Sequence, residues 1–261
     1  MNIKFQILLP ALFIMLLSGC GTISPTQQTQ ATQEMETASE NEPTVIVKKT
    51  EDFLITGDGS AENWNQAEWA ELLQRQFEDM GNRYRSEFKI LYSETGIYIL
   101  YRNEDRILNA TIEEHFAELW YEDVVEAFFW TDESGPDYFE YELSPLNYEL
   151  PLIVSNLDGE LVHWIPFLNS YHEGSDRKTQ HKTTIIGGEK RSGAEIEGWI
   201  AEVYIPFKLM HPLKNIFPES GTNWRANFYR VDYDNGMTSY SWQPYETNFH
   251  DYENYGTLIF E

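Results

Sequence analysis

The sequence predicts an all-β protein in which most of the chain folds as an antiparallel β-sandwich with short peripheral helices. β-branched and aromatic residues are concentrated in many short runs, a composition typical of strands. Turn-forming residues such as Gly, Asn and Asp separate these runs. Many short strands with turns between them are typical of sandwiches, so we expect that architecture.

The first 19 residues have the pattern of a bacterial lipoprotein signal peptide. Lys4 precedes an apolar run over 7–17 that is too short to cross a bilayer. The run ends in Leu17-Ser18-Gly19-Cys20, which resembles a lipobox. This resemblance implies cleavage before Cys20 and lipids on that cysteine, which would anchor the protein to a membrane. The alternative is an ordinary secretory signal in which the cysteine is incidental.

Residues 20–44 are predicted to form the lipidated cysteine and a disordered tether. They are polar and show no hydrophobic period, so they cannot bury enough apolar surface to offset the entropy of ordering. A flexible coil of this length spans roughly 25–30 Å root mean square, enough to hold a domain away from a membrane. Residues 45–261 are then long enough to form one domain with its own core.

Two counts exclude whole classes of function. Cys20 is the only cysteine, which excludes intrachain disulfides and Cys-based zinc sites. The chain carries 43 acidic and 18 basic side chains, a formal net charge of −25. Such a charge repels phosphate groups, so we expect no nucleic acid partner. Neutral sugars and cations are compatible with it.

The strands can be placed along the chain in order. Nine are predicted, at 85–92, 97–102, 123–130, 138–143, 182–186, 199–205, 224–233, 238–242 and 257–260. Turns are predicted at 93–96 and 132–136, and Asn235-Gly236 predicts a tight turn between two of the later strands. Short helices are predicted at 65–77 and 111–119.

Aromatic residues gather beside polar ones in two places. Trp120 lies six residues before Glu126, and Trp242, Phe249 and His250 lie close together near the C-terminus. The apolar faces of a sugar ring lie flat on aromatic rings, while its hydroxyls need hydrogen-bond partners. The pattern therefore predicts a protein that binds carbohydrate.

Several blocks together resemble a family 9 carbohydrate-binding module over nearly the whole predicted domain. They are 55–59 with Trp64 and Trp69, 89–102, 123–126, 138–141, 198–207, 224–230, and 248–250 with 255–258. The resemblance implies a β-sandwich of the DOMON-like or jelly-roll type. The founding modules of this family are often joined to plant-polysaccharide enzymes, and they grip the reducing end of a sugar chain between two tryptophans.

The resemblance also implies the binding residues. Trp120 stands at the first of the two tryptophans, and Phe249 stands at the second. Glu126 stands at the glutamate that hydrogen-bonds sugar hydroxyls. Glu140 falls where the founding modules have a basic residue that contacts the sugar, and Tyr229 falls near a glutamine. Reducing-end glucose specificity therefore does not carry over to this chain.

The residues themselves predict how a sugar would be held. Stacking on Trp120 is worth roughly 1.5–3 kcal/mol, and each buried hydroxyl needs a partner. Glu126 would accept hydrogen bonds, and Tyr229, Asn227 or Asn248 would donate them. We expect an affinity of roughly micromolar to millimolar order.

Structural roles are alternatives for these residues. Trp120 could anchor a loop, Glu126 could satisfy buried backbone groups, and Phe249 could cover the core. Trp64, Trp69, Trp199 and Trp224 lie in apolar strands or on a helical packing face, and we predict that they lie in the core.

Cofactor signals are few. The resemblance implies structural calcium, for which the candidate ligands are the turn carboxylates of Asp105, Asp132, Asp232 and Asp234. None of them forms a recognised calcium loop. The six histidines are scattered with no HExxH pair, so zinc is not expected.

Two other functions remain as alternatives. A glycoside hydrolase, or an accessory domain of one, would need two carboxylates about 5–10 Å apart, and 43 acidic residues cannot exclude such a pair. A haem b-binding DOMON-like electron-transfer domain would need a His/Met pair, for which His211 beside Met210, His250 or Met237 are candidates. No haem-attachment or catalytic motif is present. We therefore expect a non-catalytic module.

The sequence thus predicts a lipid-anchored protein of the bacterial cell envelope, on the outer membrane or cell surface. Its expected ligand is a poly- or oligosaccharide, retained for carbohydrate catabolism near glycoside hydrolases or sugar importers.

Overall fold

The structure, a computed structural model, describes residues 43–75, 84–157, 160–167, 174–234 and 236–261. These residues form thirteen strands and four single-turn 3-10 helices, which confirms the all-β prediction. Among them, no helix has the length and apolar character needed to span a membrane. The signal peptide, Cys20, most of the tether and Asn235 lie outside the described residues.

The strands follow one another along the chain with irregular connections. Their bounds are β1 Thr44–Lys49, β2 Ala70–Gln74, β3 Ser86–Tyr92, β4 Gly96–Glu104, β5 Val124–Trp130, β6 Asp137–Leu143, β7 Glu149–Leu157, β8 Glu160–Pro166, β9 Gln180–Ile186, β10 Gly198–Pro206, β11 Asn223–Asp232, β12 Thr238–Ser241 and β13 Gly256–Phe260. The 3-10 helices span Glu62–Gln66, Leu119–Tyr121, Phe207–Met210 and Tyr252–Asn254.

Hydrogen bonds join the strands in the order β8-β7-β6-β5-β11-β12-β2-β3-β4-β10-β9. β13 pairs with β11, and β1 pairs in parallel with both β13 and β3. The pairings therefore close a ring of six strands, β1-β13-β11-β12-β2-β3. β5 to β8 extend the ring on one side, and β4, β10 and β9 extend it on the other. The arrangement of these strands as a sandwich of the jelly-roll type stays a prediction.

The main core lies where the ring strands face one another. Each ring strand contributes a buried residue to it: Val47, Leu72, Phe88, Phe228, Tyr240 and Leu258. Phe88 and Phe228 stack at 3.9 Å between ring centroids and join the two sides of the ring. Of the tryptophans predicted in the core, Trp64, Trp199 and Trp224 are buried.

Trp69 differs from that prediction. It is only partly buried, and the Lys89 ammonium and Arg102 guanidinium lie 5.0 and 4.3 Å from its ring centroid. The ring is thus covered by charged side chains, an arrangement that cation–π attraction stabilises.

A second hydrophobic cluster covers the opposite face of β5, β6, β7 and β11. Because side chains alternate along a strand, Ala127 and Phe129 enter the main core while Val124 and Phe128 enter the second cluster. Tyr138, Leu152 and Tyr229 join them from the neighbouring strands. This second face carries the site described below.

The two predicted helices are wrong. Residues 70–74 form β2, which pairs with β12 and β3 and closes the ring, so sheet hydrogen bonds outweigh local helix preference. Residues 111–118 form no helix, and the Glu122 carboxylate accepts the backbone N–H groups of Thr111 and Ile112. Phe116 also has a φ of 65°, which no helix accommodates. The nine predicted strands are confirmed, and β1, β2, β7 and β8 were not predicted.

Glu202 in β10 ties the N-terminal loop to the sheet. Its carboxylate is fully buried and accepts the N–H groups of Thr56 and Gly57 and the indole N–H of Trp64 at 2.5–2.9 Å. Gly57 has a φ of +89°, and a Cβ there would lie 2.6 Å from Lys182 Cβ, so the close approach requires glycine. The Glu202 carboxylate thus holds the loop that contains Thr56, Gly57 and Trp64 against β10.

Replacing Glu202 by Gln should lower the free energy of unfolding by about 2–4 kcal/mol, because an amide nitrogen would face buried donors. Urea unfolding followed by tryptophan fluorescence measures this change. Glu195→Gln, an exposed position three residues before β10, should change it by less than about 0.5 kcal/mol. Equal unfolding midpoints for the two variants would contradict the role of Glu202.

Candidate functional site

An open cleft of about 520 Å³ lies on the second face of β5, β6, β7 and β11. Its floor comes from these strands, and its walls come from the 3-10 helix Leu119–Tyr121, β8 and the chain between β12 and β13. The lining is mostly aromatic and carboxylic: Trp120, Tyr121, Glu126, Phe128, Glu140, Trp164, Tyr233, Tyr245, Phe249 and His250 are among its residues.

Strand register places two carboxyl groups on the cleft floor, Glu126 and Glu140, and a third, Glu142, beside them. Glu126 pairs with Glu142 across β5 and β6, and Phe128 pairs with Glu140. All four side chains therefore point to the same face, because residues two apart on a strand share a face. The exposed fractions of Glu126, Glu140 and Glu142 are only 3, 5 and 0%.

Burial changes the chemistry of these carboxyls. It disfavours the charged form, and it raises the pKa of Glu140 to about 8. Burial, and then repulsion from Glu140, raises the pKa of Glu126 well above its ordinary value. The pKa of Glu142 is also raised well above its ordinary value, by burial and by its neighbours Glu126 and Glu140. Oε1 of Glu126 and Oε2 of Glu140 have no hydrogen-bond partner within the described part of the chain. Glu126 and Glu140 therefore contribute carboxyl groups to the cleft lining that favour the protonated form, with one oxygen of each buried and unpartnered.

His250 lies beside these carboxyls without forming an ion pair at neutral pH. Burial lowers its pKa to about 4, so the imidazole is neutral. Its Nδ1 lies 2.5 Å from the Tyr138 hydroxyl and 3.9 Å from Oε2 of Glu140. The ring also stacks on Phe128 at 5.6 Å between centroids. Packing and one hydrogen bond thus hold His250 in place.

Trp120 forms one aromatic wall of the cleft. Its ring meets Trp164 edge to face, with centroids 5.6 Å apart and an angle of 85°. The Tyr233 hydroxyl donates to the Trp120 carbonyl at 2.9 Å and holds the short 3-10 helix against the sheet.

Phe249 forms another part of the wall. It stacks on Tyr229 at 4.1 Å with an angle of 11°, and Tyr245 meets it edge to face. Phe249 thus has a ring packed behind it, which fixes its orientation. Trp120 and Phe249 line the same cleft, but each contacts different rings.

The structure brings five of the seven predicted binding residues into the cleft lining. These are Trp120, Glu126, Glu140, Asn248 and Phe249. Reasoning from sequence missed Trp164, Tyr233 and Tyr245. Trp164 could have been found only by predicting β8, a strand whose residues are largely exposed.

Tyr229 and Asn227 do not line the cleft. Both are fully buried. The Tyr229 hydroxyl donates to the Phe249 carbonyl at 2.8 Å, and the Asn227 amide donates to the Tyr229 hydroxyl and to the Gln243 carbonyl. They therefore support the Phe249 wall from behind, because their polar atoms already bond within the protein.

The candidate calcium ligands divide into two places. Oxygens of Asp105, Asp232 and Asp234 lie within 4.8 Å of one another. The Arg230 guanidinium lies 3.1 Å from Asp105 and 2.5 Å from Asp232, so a cation of the protein already neutralises this group. Asp132 lies elsewhere, 3.8 Å from the Lys214 ammonium. Calcium binding stays a prediction.

Two of the scattered histidines meet at Glu149, which reasoning from spacing did not anticipate. One ligand atom from each of His115, Glu149 and His181 lies within 4.8 Å of the others, a residue set that zinc can accept. Nε2 of His181 lies 3.4 Å from Oε1 of Glu149, and the hydroxyls of Thr179 and Tyr141 donate to Oε2. Burial opposes the charged form of Glu149, but these hydrogen bonds outweigh it and lower its pKa to about 2.

Of the His and Met residues considered for haem, the sequence neighbours Met210 and His211 separate. Met210 lies in the core while His211 is exposed, so neighbours in sequence point apart. His250 and Met237 both line the cleft.

A β-rich domain with an open aromatic cleft and a few polar groups on its floor is the architecture of a ligand-binding module. The chain belongs to the family described as carbohydrate family 9 binding domain-like, whose model matches residues 55–261. This confirms the resemblance seen in the sequence blocks.

Three solved structures are similar to this chain in fold. A candidate carbohydrate-binding protein from Bacteroides uniformis ATCC 8492 is 17% identical, covers 85% of this chain and 100% of its own, and has a TM-score of 0.66. A family 9 carbohydrate-binding module from Caldicellulosiruptor kristjanssonii was solved with cellotriose (14% identity, 84% and 94% coverage, TM-score 0.58). A family 9 module from the same organism was solved with glucose; it is 15% identical, covers 84% of this chain and 96% of its own, and has a TM-score of 0.57. No curated protein matches.

The raised pKa of Glu140 predicts a pH dependence of stability. The carboxyl ionises near 4.5 when unfolded but near 8 when folded, so its contribution to stability is lost as the pH rises between these values. From pH 6 to 9, the wild type should lose about 2–3 kcal/mol of unfolding free energy more than Glu140→Gln does.

Urea unfolding at a series of pH values measures this difference. Glu195→Gln, at an exposed position, is the matched control and should follow the wild type. Parallel pH profiles for the wild type and Glu140→Gln would show that Glu140 does not hold its proton in the folded state.

Proposed function

We propose that this protein is a non-catalytic module that binds a poly- or oligosaccharide in the cleft. A sugar ring would stack on Trp120 and face Phe249, with its hydroxyls on Glu126, Glu140 and Asn248. The observation that carries the proposal is the combination of aromatic walls with the carboxyl groups of Glu126 and Glu140 in the lining of one open cleft.

The energetics of the cleft suit a sugar. Covering an aromatic ring with C–H groups contributes roughly 1.5–3 kcal/mol. Glu126 and Glu140 line the cleft, and their carboxyl groups would exchange hydrogen bonds with sugar hydroxyls taken from water. We expect an affinity of about micromolar to millimolar order for a short oligosaccharide.

Family membership supports carbohydrate as the ligand class, and the related modules from Caldicellulosiruptor kristjanssonii were solved with cellotriose and glucose. We propose that the fold is a sandwich of the DOMON-like or jelly-roll type, with the cleft on one of its faces. The supporting observation is that the two sides of the strand ring pack through Phe88 and Phe228.

A glycoside hydrolase is the second candidate, because carboxyl pairs with raised pKa values lie in the cleft. Such an enzyme needs one protonated acid and one ionised base or nucleophile. Glu126, Glu140 and Glu142 all have raised pKa values, so no carboxylate of this cluster is favoured as the ionised partner at neutral pH. This argument favours binding without catalysis.

We also propose that the protein is a lipoprotein of the cell envelope, on the outer membrane or cell surface. Lipids on Cys20 and the polar segment up to residue 44 would hold the module near the membrane but free to reach glycans. It would then retain poly- or oligosaccharide for glycoside hydrolases or importers that break down and take up sugars.

Calorimetry with cellotriose tests the binding proposal. Trp120→Ala should weaken binding at least about tenfold, since the lost stacking is worth more than about 1.4 kcal/mol. Trp69→Ala removes a partly exposed tryptophan outside the cleft and should leave binding unchanged.

A glycan array precedes the calorimetry if cellotriose gives no heat. Binding of every tested glycan that is equal in Trp120→Ala and the wild type would contradict stacking on Trp120. Release of reducing sugar from a bound glycan would support the hydrolase, and a Soret band in the purified protein would support the haem alternative.

Metabolic labelling with radioactive palmitate tests the anchor. The wild type should incorporate label and fractionate with membranes, and Cys20→Ala should do neither, because the acylated thiol is lost. Ser24→Ala, a change in the tether that leaves the cysteine intact, is the control and should behave as the wild type. Label that persists in Cys20→Ala would contradict lipidation at this residue.

A further inference from the structure

The titratable groups of the cleft are mainly carboxyl groups. Glu126 and Glu140 lie on its floor with Glu142 directly beside them. Among the described residues of the lining, none is Lys or Arg, and His250 is neutral at pH 7. A ligand in this cleft therefore lies next to carboxyl groups and a neutral imidazole, and next to no fixed positive charge of the described lining.

Cations of the protein are engaged elsewhere. Arg75 is not part of the cleft lining, and its guanidinium donates to the Ser241 hydroxyl and to the backbone carbonyls of Ser241 and Trp242. Arg230, the fully buried arginine, is paired with Asp105 and Asp232. The cleft carboxyls are thus left without a counter-ion from the described part of the chain.

Aromatic walls make the same cleft favourable for a positive charge. Trp120, Tyr233, Tyr245 and Phe249 present ring faces or edges around the carboxyls. Ring faces attract ammonium groups, and most strongly where water is excluded. The combination of several aromatic rings with a carboxylate is a common solution for binding organic cations in proteins.

We propose that the cleft prefers amino sugars: an oligosaccharide whose ring carries a free ammonium that bonds to Glu126 and Glu140 while the ring stacks on Trp120. This inference rests on the proposed carbohydrate-binding function and names its ligand class. It differs from a neutral sugar site because the selected group is the ammonium.

Chemistry explains the preference. An ammonium donates three hydrogen bonds and carries a charge, whereas a hydroxyl donates one. The ammonium stabilises the ionised form of a nearby carboxyl and so lowers its pKa. Ionising Glu140 at pH 7 has a bias of only about tenfold to overcome. A close ion pair shielded from water exceeds that bias.

Calorimetry at pH 7 and physiological salt tests the proposal with three β-1,4-linked trimers of the same length. They are the glucosamine trimer, its fully N-acetylated form and cellotriose. The glucosamine trimer should bind at least about tenfold tighter than the other two. The N-acetylated form keeps the ring and the nitrogen but removes the charge, so it isolates the ammonium.

Variants locate the effect. Glu140→Gln and Glu126→Gln should each reduce the ratio of glucosamine-trimer affinity to cellotriose affinity about tenfold. Glu195→Gln, an exposed carboxyl outside the cleft, should leave every affinity unchanged. Circular dichroism confirms that each variant is folded, and having two cleft variants keeps the test valid if one fails to fold.

The outcomes are distinct. Cellotriose binding as tightly as the glucosamine trimer would overturn the amino-sugar preference and leave the proposed function standing. Failure of all three trimers, followed by failure of a glycan array, would overturn the proposed function as well. Equal binding by trilysine would show that net charge alone attracts the cation, and it too would overturn the preference.

Discussion

The antiparallel register of β5 against β6 and β11 is the constraint on which the site depends. It sets Glu126 opposite Glu142 and Phe128 opposite Glu140. A slip of one residue would turn Ala127 and Phe129 towards the cleft and push the carboxyls into the main core. β5 is hydrogen-bonded on both sides, and its other face fills that core, so the slip is opposed by packing as well as by hydrogen bonds.

The cleft carboxyls stand apart from the other buried charges. Glu202 and Arg230 are buried too, yet they bond to several protein groups and stabilise the loops they touch. Glu126 and Glu140 instead keep an oxygen unpartnered, which costs stability. Glu126 and Glu140 differ from other buried residues with an unpartnered polar atom, such as Asn103 and Asn156, because they line the aromatic cleft.

Support for the cleft walls comes from two tyrosines, of which Tyr229 lies behind the lining and Tyr233 forms part of it. Tyr229 packs under Phe249, and its hydroxyl holds the Phe249 backbone. Tyr233 likewise holds Trp120 through the Trp120 carbonyl. The walls are therefore fixed by the second hydrophobic cluster before any sugar arrives, which reduces the entropy that binding must overcome. Their positions depend on side-chain packing between segments distant in sequence.

The sequence by itself determined the all-β class, nine of the strands and the choice of Trp120 and Glu126 as candidate binding residues. These follow from local composition and from recognisable blocks. It did not reveal β2 and β8, since their alternation is weak and their place comes from partners far along the chain. Tertiary structure alone decided that Glu142 lies beside Glu126 and Glu140, that Trp164 reaches the cleft, and that Tyr229 and Asn227 lie behind it. The physical reason is that strand register and side-chain burial are set by contacts between distant segments, which no local pattern records.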